Sequence, residues 1–146
     1  MVQQQKLERL AESLRDNLAD LRRYATELTP GRLQHDRDLE HKVLHALYVV
    51  TQATIDSGNH VLADQRLPRA DSYAGIFDRL REAELVEPAL AEELADWASL
   101  RNVLAHFYAV IDLAKIERAV KEDLGAFDGW LRRLDELLAE ARQPMP

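Results

Sequence analysis

The feature that most constrains this chain is the period of its apolar residues. Leu7, Leu14, Leu21 and Leu28 stand seven apart, with Leu10, Leu18 and Tyr24 between them. Such spacing lays one apolar stripe along a helix, and no alternating run of strand type competes with it elsewhere in the chain. A chain whose apolar groups are all arranged in helical stripes can bury them only by packing helix on helix. The sequence therefore predicts an all-α fold, an antiparallel up-down bundle of four long helices and one short one. It is expected to form a single domain over residues 1–146, with a tail frayed from about 142 to 146.

The punctuation sets the boundaries. The first helix is expected from Val2 to Leu28, stopped by Thr29-Pro30-Gly31. The second runs from about Arg37 to Leu62, with Asp36 as N-cap and Val43, Leu47, Val50, Thr54 and Val61 facing inward. A polar loop from Ala63 to Asp71 leads to a short third helix capped by Ser72 and carrying Ile76, Phe77 and Leu80. Glu87-Pro88 opens the fourth, with Pro88 at its first position, running to about Val110. Asp112 caps a fifth, from Leu113 to Ala141, whose stripe is Ile116, Val120, Leu124, Phe127, Leu131, Leu134 and Leu138.

Composition narrows the chemistry. The chain has 146 residues, 47% of them hydrophobic, enough to fill one core without cross-links. The absence of cysteine removes disulfides, thiolate zinc sites and a cysteine nucleophile. A net charge of −7 speaks against a broad basic face for nucleic acid, while leaving room for a local pocket that grips one phosphate. No leader-like apolar segment or membrane-spanning run is expected, so the expected location is the cytoplasm, with no membrane partner.

The fourth helix carries residues that interrupt its pattern. At about 100° per residue, Leu94, Trp97, Leu104 and Tyr108 all fall within about 60° of Arg101. Arg101 thus stands in line with an apolar stripe, and an arginine there must be paired or line a cavity, because an unpaired buried charge is very costly. Asn102 and His106, four apart, stack on the flank of that stripe. Val103 and Phe107 point to the far side. The competing interpretation has Arg101 reaching solvent or pairing with a carboxylate, and His106 packed in the core.

Other groups are weaker candidates. His41 and His45 are four apart, but Lys42 lies beside them and no glutamate completes a metalloprotease pattern, so they read as surface or core-edge residues and no metal is assigned. Asp56 and His60 read as a local helix-surface pair, and Arg22-Arg23 and Arg132-Arg133 as solvated faces. There is no Gly-rich phosphate loop and no nucleophile elbow.

The run Arg101-Asn102-Val103-Leu104-Ala105-His106-Phe107-Tyr108 resembles the motif of HEPN domains, and the tyrosine two residues after the histidine resembles the HepT branch. Three further stretches resemble HepT proteins in the same order: Ile55-Asp56-Ser57-Gly58-Asn59-His60-Val61, Ser72-Tyr73 followed by Phe77 and Leu80, and Ile111-Asp112 followed by Ile116. Phe107 departs from the pattern, standing where a polar or acidic residue is frequent. The resemblance implies a metal-independent endoribonuclease toxin, cofactor-free and homodimeric, with the motif helices facing across a cleft. It implies Arg101, His106 and Asn102 as catalytic residues, with Asp56 and Asn59 as candidate supports of the pocket. The implied partners are an RNA substrate, tRNA or mRNA rather than DNA, and a minimal nucleotidyltransferase antitoxin of the MntA type that transfers AMP to Tyr108.

The residue chemistry is compatible with that activity. Cleavage without metal needs a group titrating near neutrality to move the 2′-OH proton, which suits His106. It also needs a cation on the phosphate, which suits the planar fork of Arg101. Asn102 is placed to hold His106 or the ribose. One such set per chain is sparse, so a dimer supplying both an acid and a base is part of the expectation. The alternatives are a non-catalytic HEPN partner that regulates a nucleotidyltransferase, and a helical interaction module in which the polar arc is structural.

Overall fold

The computed structural model describes residues 2–105 and 111–142, with side chains from Gln4 onward. The described residues contain helices and no strand: α1 (Val2–Ala25), α2 (Arg32–His35), α3 (Arg37–Asp64), α4 (Tyr73–Glu82), α5 (Pro88–Ser99), α6 (Arg101–Ala105), α7 (Leu113–Glu122) and α8 (Gly125–Arg142). The all-helical bundle stands as expected. The expected end of the fourth helix beyond Ala105, and the tail beyond Arg142, lie outside the described residues.

The caps are those read from the sequence. Asp36 accepts the Leu39 N–H at 3.0 Å, Ser72 accepts that of Gly75 at 3.0 Å, and Asp112 that of Lys115 at 3.1 Å, each satisfying a donor that the first helical turn leaves free. The Leu39 bond, and then the Arg32 guanidinium, hold the Asp36 carboxyl below its ordinary range. Pro88 opens α5.

Besides α1, which ends at Ala25 rather than at the expected Leu28, the structure differs from the sequence expectation in three places. Residues 32–35 form a one-turn helix, entered through Gly31 at φ +81° and anchored by buried Leu33. The expected fourth helix is interrupted at Leu100, whose N–H turns to the carbonyl of Trp97, three residues back. The Ser99 hydroxyl donates to the Asp96 carbonyl at 2.6 Å beside this tightened turn. The expected fifth helix is divided into α7 and α8 at Asp123 and Leu124. There the Asp123 carbonyl accepts the Trp97 indole N–H at 3.3 Å, so a tertiary bond takes the place of a helical one.

The helices close around one buried cluster. α1 lies along α3, α4 pairs with α5, and α8 packs on both α1 and α5. Ion pairs join Glu8 to Arg142, Arg15 to Asp135 and Arg22 to Asp128, so ascending positions on α1 meet descending positions on α8 and the two run antiparallel. At the centre, the Trp130 indole N–H donates to the Ser57 hydroxyl at 2.8 Å, and the Trp130 ring meets Phe77 edge-on at 5.5 Å. A Cβ on Gly58 would stand 2.8 Å from Ile76 Cγ2, so the glycine sets how closely α3 and α4 approach. The short α6 packs on α3, which brings Arg101 over the outer face of that helix. Among the described residues, no helix is long and apolar enough to cross a membrane.

Candidate functional site

Arg101 opens α6, directly after the tightened turn at Leu100. Its neighbours Leu94, Trp97 and Leu104 are buried and Arg101 itself is half-buried, as the helical wheel requires. The guanidinium is held from two other helices. On α3 its Nε–H donates to Gln52 Oε1 at 2.8 Å, and the Tyr48 ring lies 5.8 Å from its central carbon. On α4 the Tyr73 ring lies 5.4 Å away. Within α6, Nη1 donates to Asn102 Oδ1 at 3.2 Å. Two ring faces and two amide oxygens therefore satisfy a cation without neutralising it.

Of the competing expectations, Arg101 reaching solvent or pairing with a carboxylate, the second is not met among the described residues. Among the described residues the nearest acid in this network is Asp56, one step removed: it accepts the Gln52 Nε2–H at 2.9 Å. Tyr48, Gln52 and Asp56 are four residues apart in succession, so they form one row along α3 at the margin of its buried stripe. Sequence reasoning singled out Asp56 and missed Tyr48 and Gln52. The available signal was this four-residue spacing, which brings Asp56 into register with two groups able to face a cation.

The remaining sequence candidates are distributed as follows. Asn102 is exposed beside Arg101. Asn59 is exposed on α3 and joins no hydrogen bond in this network among the described residues. His60 lies elsewhere on α3, where burial pushes its pKa below the ordinary histidine value; Asp64 opposes that shift and Lys6 adds to it. His41 and His45 are both exposed. His106, Phe107 and Tyr108 lie outside the described residues. Among those described, no group of three or more His, Cys, Asp or Glu side chains is arranged to hold a metal ion.

Two surface depressions lie away from Arg101. One, of 980 Å³, runs between the α4–α5 turn and α8 and includes both acidic and basic groups. The other, of 630 Å³, lies between the end of α5 and α7 beside Trp97. Arg101 lines neither. On the same short helix Val103, 39% exposed, is the large apolar residue that the described surface leaves uncovered.

Residues 14–134 match the model of the family described as Ribonuclease HepT-like. The chain belongs to that family. It is 28% identical over 92 residues to a tRNA nuclease HepT from Aphanizomenon flos-aquae, a match covering 63% of each chain. It is 26% identical over 101 residues to an mRNA nuclease HepT from Shewanella oneidensis, covering 69% of this chain and 76% of the relative. The match to the Aphanizomenon protein thus spans less than two thirds of that protein's length. Among solved structures, the tri-AMPylated Shewanella oneidensis HEPN toxin in complex with its MNT antitoxin aligns with a TM-score of 0.79 at 20% identity, over 89% of this chain and 96% of that one. The Bacillus subtilis cytosolic protein YutE aligns at 0.80 and 19%, over 97% and 94%. At such identities the likeness establishes a shared HEPN-type fold.

Proposed function

We propose that this HepT-like chain is a metal-independent endoribonuclease toxin. The observation that carries the reading is the state of Arg101, a half-buried guanidinium held by neutral oxygens and two aromatic rings in a protein of net charge −7. Such a cation keeps its charge and fork for an incoming phosphate. In the proposed reaction, His106 takes the proton of an RNA 2′-OH, and the oxygen attacks the adjacent phosphorus. The 2′-O–P bond forms, the P–O5′ bond breaks, and a protonated His106 from a second copy delivers a proton to the leaving oxygen. The products are a 2′,3′-cyclic phosphate and a 5′-hydroxyl. Arg101 stabilises the charge on the phosphoryl oxygens as it develops, and Asn102 supports the guanidinium through Oδ1.

A homodimer is part of this proposal, because two copies supply both an acid and a base. The exposed Val103 on the same short helix is an apolar group that a second copy would cover. Control is proposed through a cognate MntA-type nucleotidyltransferase: the Tyr108 hydroxyl attacks the α-phosphorus of ATP, and pyrophosphate leaves with the AMP retained on tyrosine. The resulting phosphodiester anion pairs with Arg101 and occupies the substrate phosphate's place. The AMPylated toxin with its antitoxin among the structural relatives supports this reading.

The test is cleavage of single-stranded RNA in EDTA by the purified full chain. Cyclic-phosphate ends are expected, with activity abolished by Arg101→Ala and by His106→Ala at unchanged helical content. A requirement for Mg²⁺, or full activity of the His106→Ala variant, rejects the mechanism. RNA left intact by the unmodified chain favours the regulatory HEPN partner instead. Intact mass after co-expression with an MntA-type nucleotidyltransferase that neutralises the toxin tests Tyr108, and an unmodified but neutralised toxin rejects AMP transfer. Sedimentation as a monomer at micromolar concentration rejects the dimer.

A further inference from the structure

The bond between Gln52 and Arg101 joins α3 to the first residue of α6 across 49 positions of sequence, and its chemistry has a definite direction. A glutamine amide has a donor end and an acceptor end, and the two are told apart by their partners. Here both partners agree. The Asp56 carboxylate is an acceptor and takes the Nε2–H end at 2.9 Å, which leaves the Oε1 end for the Arg101 Nε–H at 2.8 Å. Turned around, the amide would set N–H against N–H at Arg101 and oxygen against oxygen at Asp56, losing both bonds. Asp56 thereby dictates which end of Gln52 faces the arginine.

The edge of the guanidinium that Gln52 occupies is equally specific. Nε–H is bound to Gln52 and Nη1 also bonds to Asn102, while Tyr48 and Tyr73 lie beside the plane from α3 and α4. Among the described residues the terminal nitrogens bond only through Nη1 to Asn102, and the edge that they form carries the parallel donor arrangement that matches two phosphate oxygens. Because the Gln52 oxygen is neutral, the guanidinium is oriented without being paired off. We propose that Gln52 is a positioning residue that holds Arg101 by its Nε–H edge and turns its terminal-nitrogen edge to the RNA phosphate, with Asp56 setting the direction of the Gln52 amide. The phosphate in this statement rests on the ribonuclease reading above, whereas the hold of Gln52 on Arg101 does not.

Two substitutions separate orientation from fold. Gln52→Leu removes the acceptor while keeping a helix-compatible side chain. It is expected to lower kcat by about 100-fold, the scale of a misplaced catalytic group, with a smaller change in KM and a melting temperature within a few degrees of the parent. Gln52→Glu places a carboxylate against the guanidinium, which then competes with phosphate, so KM rises at neutral pH. Protonation turns that carboxyl into a mimic of the amide, accepting from Arg101 through its carbonyl and donating to Asp56 through its hydroxyl. The ratio of variant to parent kcat/KM is therefore expected to climb as pH falls from about 7 toward about 4, the ordinary carboxyl range, with Arg101 lowering and Asp56 raising the midpoint. A role in packing alone would not produce that pH dependence. Asp56→Leu should lower kcat in the same direction as Gln52→Leu, because the amide loses its directing partner.

The second readout needs no activity. In the ¹⁵N-labelled full chain, the Arg101 Nε–H signal, assigned by its loss in Arg101→Lys, should exchange slowly with solvent. In Gln52→Leu its exchange should accelerate by about tenfold or more, as expected for loss of one charge-assisted hydrogen bond. Unchanged kcat, KM and Nε–H exchange in Gln52→Leu overturn the proposal, as does a Gln52→Glu variant whose relative activity does not move with pH. Should the unmodified chain leave RNA intact, the ribonuclease reading falls, and with it the phosphate role. The Nε–H measurement then decides separately whether Gln52 holds Arg101.

Discussion

At the scale of single residues, a buried polar group can depend on a partner far along the chain, although not every buried polar atom has one: the Thr51 hydroxyl, buried on α3, has no partner among the described residues. Ser57 sits fully buried on α3, where its hydroxyl accepts the Trp130 indole N–H and lies 2.7 Å from the Ala53 carbonyl. The serine was readable as part of a helix, but its partner 73 residues away was not, because a helical period says nothing about which helix faces which. Ser57→Ala would leave a buried indole N–H without its acceptor and is expected to destabilise the protein by roughly 1–3 kcal/mol. Urea unfolding would show this as a lowered midpoint at constant slope, and a loss below about 0.5 kcal/mol, the range of ordinary surface substitutions, would contradict it. Arg101, like Ser57, finds a partner on another helix, with a different outcome. Its place in an apolar stripe announced a need for partners, and the structure supplies neutral ones, which keep the charge available.

At the scale of helices, caps and stripes were legible because they depend on neighbours within a turn or two. Asp36, Ser72, Asp112 and Pro88 occupy the ends expected of them. The interruption at Asp123 was not legible, since it is coupled to a contact that the local sequence does not specify, the Trp97 bond to the Asp123 carbonyl. Close approach of helices is likewise a tertiary property. Gly58 costs α3 about 1 kcal/mol of helix propensity relative to alanine, yet an added Cβ would meet Ile76 at 2.8 Å and Phe77 at 3.2 Å. Gly58→Ala is therefore expected to destabilise by roughly 1–3 kcal/mol, because overpacking outweighs the propensity gain. Thermal unfolding decides the sign, and a stabilised variant would mean that α4 shifts at little cost.

At the scale of the whole molecule, α1 and α8 are laced by exposed ion pairs over a shared apolar seam. Such pairs contribute little individually to stability, but one leaves a pH signature. The hydrogen bond from Arg22 holds the Asp128 carboxyl below its ordinary range, against an opposing effect of desolvation. A carboxyl depressed in the folded state binds protons more readily when unfolded, so its contribution is present above the unfolded value of about 3.9 and is lost as pH falls through the lower folded value. Asp128→Asn should thus be less stable than the parent near neutrality, with the difference shrinking as pH drops below about 4. Chemical denaturation at a series of pH values measures it, and a difference that stays constant with pH would refute the assignment.

The sequence by itself determined the all-helical class, the inward stripes, the caps and the singular position of Arg101, because these follow from residue type and from spacing within a few turns of helix. Its motif also pointed to the HepT-like family, to which the match over residues 14–134 assigns the chain. Only the tertiary structure decided what surrounds Arg101. Tyr48 and Gln52 lie about fifty residues before it and Tyr73 about thirty, and no local pattern couples positions so far apart. Their convergence depends on α6 packing across α3 beside α4, and that packing is set by side-chain shape across the whole core.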